Sequence, residues 1–548
     1  LISPAYTVGG RGWTHSILDY GTVLRQGLAS YHGQLKLISR QWPDNSARQD
    51  LTAGLDDVLK GIKCLHFRLN QKLPRNSPLA RDFQIVPWRP ARSFRQALLA
   101  TNFIFYLDGC DSLGRFDVEL GPYCEQDLKA GLITEKEAVA WVAALWKNFD
   151  ANSGWNVALG GTLPDQRAAY NRLTMVCLKA IRKMRRPNLA LRVRKDMPEK
   201  YFNQALAAIA SGCGQPAFYH EEAYLQALQE NHLNINFKDL SHYAFGGCTE
   251  TMMHGMSNVG SLDGGLNLPG IMSKTLQRCL PGATSFKEIL EALKQDISQN
   301  VSHLTTQVNH DQEQKAKYRP QPIRTLLVRD CLTAGREFNQ GGARYNWSVI
   351  NVGGLANVAD SLAALKKLIF EEKVISPARF HQALTDNFQG WAQLLKEIKR
   401  CPRYGNDEDQ ADSLACEIAS HVFRELTRYA CWRGGRFLPG CLMFVTYVGA
   451  GENVPATPDG RLKDQPIADS IGPYFGREKK GPTAMLKSVA KLNQKMAAGT
   501  LVLNIRLAAS FFSTATGRQA VKNLIRTYFS LGGMQVQVTV VDQAILQE

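Results

Sequence analysis

The 548 residues carry a formal net charge of +16 and a pI near 9.3, with 44% hydrophobic and 21% charged residues and a mean hydropathy of −0.24. That balance is ordinary for a globular chain and argues against a fibrous or disordered class. No apolar run reaches the roughly 20 residues of a membrane helix, and the basic residues are too scattered to form a nucleic-acid footprint. The densest cluster, Lys179 to Pro187, is short and lacks interleaved aromatics, so it reads as a solvated basic face.

In chain order, the opening Leu1 to Gly10 has no basic region followed by an apolar stretch, so it does not read as a signal peptide. Glu135 to Phe149 carries apolar residues at helical spacing behind Thr134, with Glu137 placed for a capping box. Ser285 to Ile297, Pro377 to Ile398 and Asp412 to Trp432 share that periodicity. Between and after them lie β-like runs near glycines: Cys441 to Gly449, Leu501 to Ile505 and Gln535 to Val541. The last alternates as a half-buried strand does. Helices alternating with strands over this length point to an α/β architecture in one large domain, with a closed barrel as one form of it.

Twelve cysteines are spread along the chain without a C-x-x-C pair. Zinc and dithiol readings therefore lose their main support. Scattered thiols fit a reducing compartment, and the cytoplasm is the expectation.

Two segments carry chemistry. In Tyr243-Ala-Phe-Gly-Gly-Cys248-Thr-Glu250-Thr, a thiol stands two residues before a carboxylate and after a Gly-Gly pair that permits a sharp turn. Residues i and i+2 face one side only in extended backbone, so a strand tip could send both side chains into one cavity. A buried structural cysteine is one reading of Cys248. A Cys-His nucleophile is another, since His242 and His254 each lie six residues away. Glu250 has its own plain reading as a surface or helix-terminal charge. The second segment runs from Ala456 to Ala484 and contains a Pro-Asp-Gly turn, but neither glycine-rich phosphate-binding pattern. Its length and polarity suggest an ordered functional loop.

Eight stretches in order carry a resemblance: His15 to Tyr20, Asn156 to Gly161, Pro187 to Arg192, Gly212 to Pro216, Gly247 to Glu250, Tyr404 to Asp407, Ala456 to Ala484, and Arg526 to Gly533. Together they are similar to the glycyl radical enzymes of the pyruvate formate-lyase superfamily, in the glycerol or diol dehydratase-like branch. The resemblance implies a ten-stranded α/β barrel of two half-barrels surrounded by helices. It implies that Cys248 is the thiyl cysteine, loaded by a glycyl radical that a radical-SAM activase installs. Gly247 stands where acyl-transferring members have a second cysteine, and Cys-x-Glu is the eliminating pattern. Glu250 is then the base that acts on a substrate hydroxyl.

The resemblance also makes His15 a candidate for holding substrate or leaving group, and suggests Tyr447 on a barrel-lining strand. His254 and Asp263 are weaker candidates for holding substrate. The family's radical motif, Arg-Val-x-Gly-Tyr, is not spelled in these residues. The expectation is therefore a chain shortened at both ends that lacks the C-terminal glycine radical domain. Such a chain is a fragment, an enzyme whose glycyl domain is supplied in trans, or an inactive relative that binds a small polar ligand or a homologous subunit. A homodimer is expected for the active form, with no metal, nucleic acid or membrane partner.

Overall fold

A computed structural model of the chain describes residues 13–74, 76–109 and 111–541. The opening segment read above, residues 1–10, lies outside these. The strands among the described residues are, in order, β1 (Trp13–His15), β2 (Gly114–Arg115), β3 (Asn156–Gly160), β4 (Asn188–Val193), β5 (Ala217–His220) and β6 (Tyr243–Gly246). They continue with β7 (Glu250–Met253), β8 (Ser257–Asn267), β9 (Tyr345–Gly353), β10 (Phe437–Gly440), β11 (Asn504–Ala508) and β12 (Gln535–Val541).

They build two sheets and a hairpin. The first sheet has the order β1-β8-β9-β10, parallel apart from β1. The second has the order β11-β12-β5-β4-β3-β2, parallel apart from the β12–β5 pair. Single parallel bridges join Ile17 to Ser112 and Cys441 to Leu501, next to the edge strands of both sheets. Strands such as Asn156–Gly160 are buried along their whole length. A parallel strand covered on both faces has no reason to alternate, so its sequence gives no period-2 signal. Helices supply the cover. Phe286–Tyr318 buries Ile289, Leu293, Ile297, Val301, Leu304 and Val308 along one stripe, and Leu355–Leu365 is buried on every side.

The helix Glu135–Ala151 forms with the expected Thr134/Glu137 capping box, and β12 takes the bounds its alternation predicts. Other expectations change. The Ser285 to Ile297 helix continues to Tyr318. The Pro377 to Ile398 run is two helices, Pro377–Thr385 and Ala392–Lys399, because Asn387, Phe388 and Gly390 all take positive φ between them. The Asp412 to Trp432 helix is Asp409–Thr427. Cys441 to Gly449 is not a strand. Phe444 turns the chain at φ +43°, and Thr446–Gly451 is a short helix.

The hairpin of β6 and β7 lies between the two sheets, packed on β2 and β3 from one side and on β8 from the other. Arg192 fastens its base, donating through Nη1 to the Ser241 and Tyr243 carbonyls at 3.1 and 2.7 Å. The same guanidinium holds Glu221 at 2.6 and 2.8 Å, and Tyr243 adds its hydroxyl to Glu221 at 2.6 Å. Burial alone would raise the Glu221 pKa, but Arg192 and Tyr243 outweigh it and lower it to about 2. Removing one member of such a buried pair costs about 3–5 kcal/mol. Glu221→Gln is therefore expected to lower the melting temperature at pH 7 far more than breaking the exposed Arg428–Glu425 pair. Because the Glu221 pKa is depressed, its contribution is present above its unfolded pKa of 4.5. The deficit of the variant should accordingly shrink as pH falls from 4.5 towards 2, read by thermal melts across that range.

Candidate active site

The hairpin pairs Gly246 with Glu250 and leaves Gly247, Cys248 and Thr249 as its turn. Gly247 has φ +55°, and a Cβ at this position would run into both the His15 ring and the Glu250 carboxylate. Only glycine satisfies the conformation and the close approach together. Three bonds tie the turn down. Gly247 N–H donates to Ser112 Oγ at 3.1 Å, Asn188 Nδ2 donates to the Cys248 carbonyl at 3.3 Å, and Thr500 Oγ1 donates to the Thr249 carbonyl at 2.9 Å.

Cys248 is half-buried. Burial pushes its thiol pKa well up, and the neighbouring Glu250 pushes it further. The sulfur therefore keeps its hydrogen at neutral pH. Glu250 is fully buried. Its Oε2 accepts from Thr249 N–H at 3.0 Å and its Oε1 accepts the Ser261 hydroxyl, which fixes the carboxylate beside the turn.

His15 comes from the end of β1. Its Nδ1 donates to Asp111 Oδ1 at 2.8 Å, and its ring meets the edge of Trp155 at 5.2 Å. Asp111 is held in turn by Ser16 N–H at 3.0 Å and Arg324 at 3.1 Å, and Arg324 also binds Asp108 at 2.8 Å. Burial works against a charged imidazole. Asp111 overcomes it, with Glu250 adding to the effect, and the His15 pKa lies above its ordinary value. With Nδ1 committed to Asp111, the Nε2 edge faces Gly247. Cys248, Glu250 and His15 thus gather around one glycine.

The other sequence candidates do not join them. His254 lies past the end of β7, at the base of the hairpin instead of its tip. Its Nδ1 accepts Arg115 N–H at 3.1 Å, and burial lowers its pKa to about 3. His242 is at the same end, also lowered by burial, to about 4. The Cys-His hydrolase reading of these two histidines therefore loses its base. Asp263 lies within a register shift in β8 between Gly260 and Gly264, with the helix Phe286–Tyr318 on its side through Gln312. There it accepts from Gln312 at 2.9 Å and Ser348 at 2.7 Å. Tyr447 sits on the short helix Thr446–Gly451, not on a barrel strand, and packs its ring on Phe475 at 5.3 Å.

The Ala456 to Ala484 segment is an ordered loop up to the helix Gly481–Ala490, and it is anchored to the helix layer. Its turn closes from Thr457 N–H to the Arg461 carbonyl at 2.9 Å. Asp459 accepts from Asn357 at 2.8 Å and from Arg477 at 2.6 Å, and Arg477 also reaches Asp360 at 2.8 Å on the buried helix. Sequence reasoning missed Ser112, Asp111, Ser261, Arg324 and Thr500. None stands in a pattern that announces a contact so far away in the chain.

Two outcomes follow from this geometry. Gly247→Ala should leave the protein folded by circular dichroism yet displace the His15 ring and the Glu250 carboxylate, a shift that a crystal structure of the variant would show. The raised His15 pKa means that its Asp111 pair stabilises the fold fully below its unfolded pKa of 6.5 and less as pH rises through the folded value. The melting-temperature gap between the native protein and Asp111→Asn should therefore be wider at pH 6 than at pH 9.

Known proteins resemble this chain over most of its length. The family model described as Pyruvate formate lyase-like matches residues 6–451, and the one described as Glycine radical matches residues 467–548. The second match overturns the expectation that the C-terminal glycine radical segment is absent from the chain. That expectation rested on one pentapeptide, whereas the helix Ala515–Ser530 and β12 belong to the matched segment. The trans-4-hydroxy-L-proline dehydratase of Clostridioides difficile is 29% identical over 512 residues, covering 86% of this chain and 64% of that protein. The chain thus spans less than two thirds of that relative. The (2S)-3-sulfopropanediol dehydratase of Klebsiella oxytoca is 24% identical, over 99% of this chain and 73% of that one. A solved structure concerned with 1,2-propanediol dehydration in Roseburia inulinivorans superposes with a TM-score of 0.92 at 28% identity, over 98% of this chain and 75% of that one. With one family model covering most of its length, the chain belongs to the pyruvate formate lyase-like family.

Proposed function

We propose that this chain is the body of a glycyl radical eliminase. It would be a dehydratase or a C–N or C–S lyase acting on a small polyol, amino alcohol or hydroxy acid. The observation that carries this reading is the gathering of Cys248, Glu250 and His15 around Gly247 on a hairpin enclosed by two sheets. Relatives named as dehydratases support it. We read the two sheets as halves of one ten-stranded barrel, a reading supported by the bridges at Ile17–Ser112 and Cys441–Leu501.

A glycyl radical, installed by a radical-SAM activase, supplies the unpaired electron when present. The activase and a second copy of the chain are the proposed partners. Cys248 as a thiyl takes a hydrogen atom from the substrate carbon that bears a hydroxyl; the C–H bond breaks and S–H forms. That hydroxyl becomes much more acidic beside the radical, and Glu250 removes its proton. The resulting ketyl expels the leaving group from the adjacent carbon with its bonding pair. His15, whose proton affinity Asp111 raises, donates a proton to it. The product radical then retrieves a hydrogen atom from Cys248 and leaves a carbonyl compound. A thiol held protonated suits this role and would hinder a nucleophilic one. Burial of the hairpin keeps water from the intermediates.

In the activated protein, assayed without oxygen on a vicinal diol, Cys248→Ala should abolish turnover while the glycyl electron paramagnetic resonance signal remains. Glu250→Gln should lower kcat by roughly 10²–10⁴, the usual worth of a general base. Turnover that survives Cys248→Ala would end this reading.

A further inference from the structure

Thr500 has φ +102°. A β-branched side chain is a steric outlier there, and glycine would occupy the same backbone at less cost. Strain of this kind persists only where the surroundings over-determine it. The hydroxyl supplies the reason. Thr500 Oγ1 donates to the Thr249 carbonyl at 2.9 Å, accepts from Thr251 Oγ1 at 3.0 Å and accepts from the Tyr224 hydroxyl at 3.4 Å. Its single proton and both lone pairs are used. Thr249 directly follows Cys248, and Thr249 and Thr251 flank Glu250. Thr249, Thr251 and Thr500 are all buried, so these bonds face no competition from water.

The backbone around Thr500 is pinned independently. Cys441 N–H donates to the Thr500 carbonyl at 3.0 Å, and Val502 N–H donates to the Cys441 carbonyl at 3.1 Å. Thr500 belongs to the segment matched as Glycine radical, whereas Thr249 and Thr251 lie in the segment matched as Pyruvate formate lyase-like. One hydroxyl therefore joins the two segments at the cysteine turn.

We propose that Thr500 is a positioning residue: it sets where the Cys248 turn sits and couples that turn to the C-terminal segment. Its consequence for turnover rests on the eliminase reading; its hold on Cys248 does not. The first test therefore needs no radical. Cys248 alkylation by iodoacetamide is followed by peptide mass spectrometry, with Cys213 and Cys279 as internal references, in the native protein and in Thr500→Ser, Thr500→Val and Thr500→Gly. Valine keeps the shape and loses the hydroxyl; glycine relieves the backbone and also loses the hydroxyl. Of the three bonds lost, only the one to the Thr249 carbonyl reaches the turn itself, so both variants should speed Cys248 alkylation about fivefold, the effect of one hydrogen bond on a local opening. Serine should stay near the native rate, and the reference cysteines should not move. In the activated protein, valine and glycine should lower kcat with KM unchanged.

A merely structural role predicts that Thr500→Gly folds as well as the native chain and leaves Cys248 alone. Alkylation of Cys248 at the native rate in the glycine variant would overturn the proposal, whatever the activity shows. Should Thr500→Val not fold, Thr251→Val removes one arm of the same junction and must expose Cys248 in the same direction.

Discussion

The site depends on a single steric constraint at Gly247. A hairpin tip can bring a thiol and a carboxylate together only if the chain reverses within three residues, and here that reversal needs positive φ at a point already touched by His15 and Glu250. Any side chain would push the imidazole and the carboxylate apart. The rest of the molecule holds that tip still. Arg192 and Glu221 clamp the base of the hairpin, Trp347 donates to the Thr251 carbonyl from β9 at 3.1 Å, and Ser112, Asn188 and Thr500 fasten the turn. These contacts come from both sheets, so the hairpin is positioned by the whole scaffold.

Electrostatics then separates the roles of the three side chains. Burial and Glu250 keep the hydrogen on Cys248, while Asp111 raises the proton affinity of His15 against burial and the opposing charge of Arg324. The site thus holds a thiol that keeps its hydrogen beside an imidazole whose proton affinity Asp111 raises. A hydrolase would want the opposite arrangement, with a thiolate favoured by a neighbouring cation. The histidines closest to Cys248 in the chain are instead neutral and sit at the far end of the hairpin.

Local patterns that depend on local physics could be read in the sequence. The Thr134 capping box and the alternation of Gln535–Val541 both describe a segment's own relation to solvent, and both formed as read. The turn at Gly247-Cys248 was legible for the same reason. Strands buried on both faces were not, because nothing in them alternates. Cys441 to Gly449 misled because its apolar residues part ways: Cys441 and Leu442 join the main core, Met443 and Tyr447 join a small cluster with Ala450 and Ile467, and Val445 and Val448 are exposed. Supporting residues were also hidden, since their partners are remote. Asp111 is 96 residues from His15, and Thr500 is 251 residues from Thr249. The placement of Asp263 was hidden too: it lies within the register shift of β8 and meets Gln312 and Ser348, whereas Ser261, two residues earlier, reaches Glu250.

The most direct measurement of the central claim is an anaerobic crystal structure of the protein with a vicinal diol bound. The account predicts one carbon of the diol against Cys248 Sγ, the hydroxyl on that carbon within hydrogen-bond distance of Glu250, and the second hydroxyl turned towards His15 Nε2. A diol seated against His254 or Asp263, with Cys248 Sγ touching no substrate carbon, would contradict it.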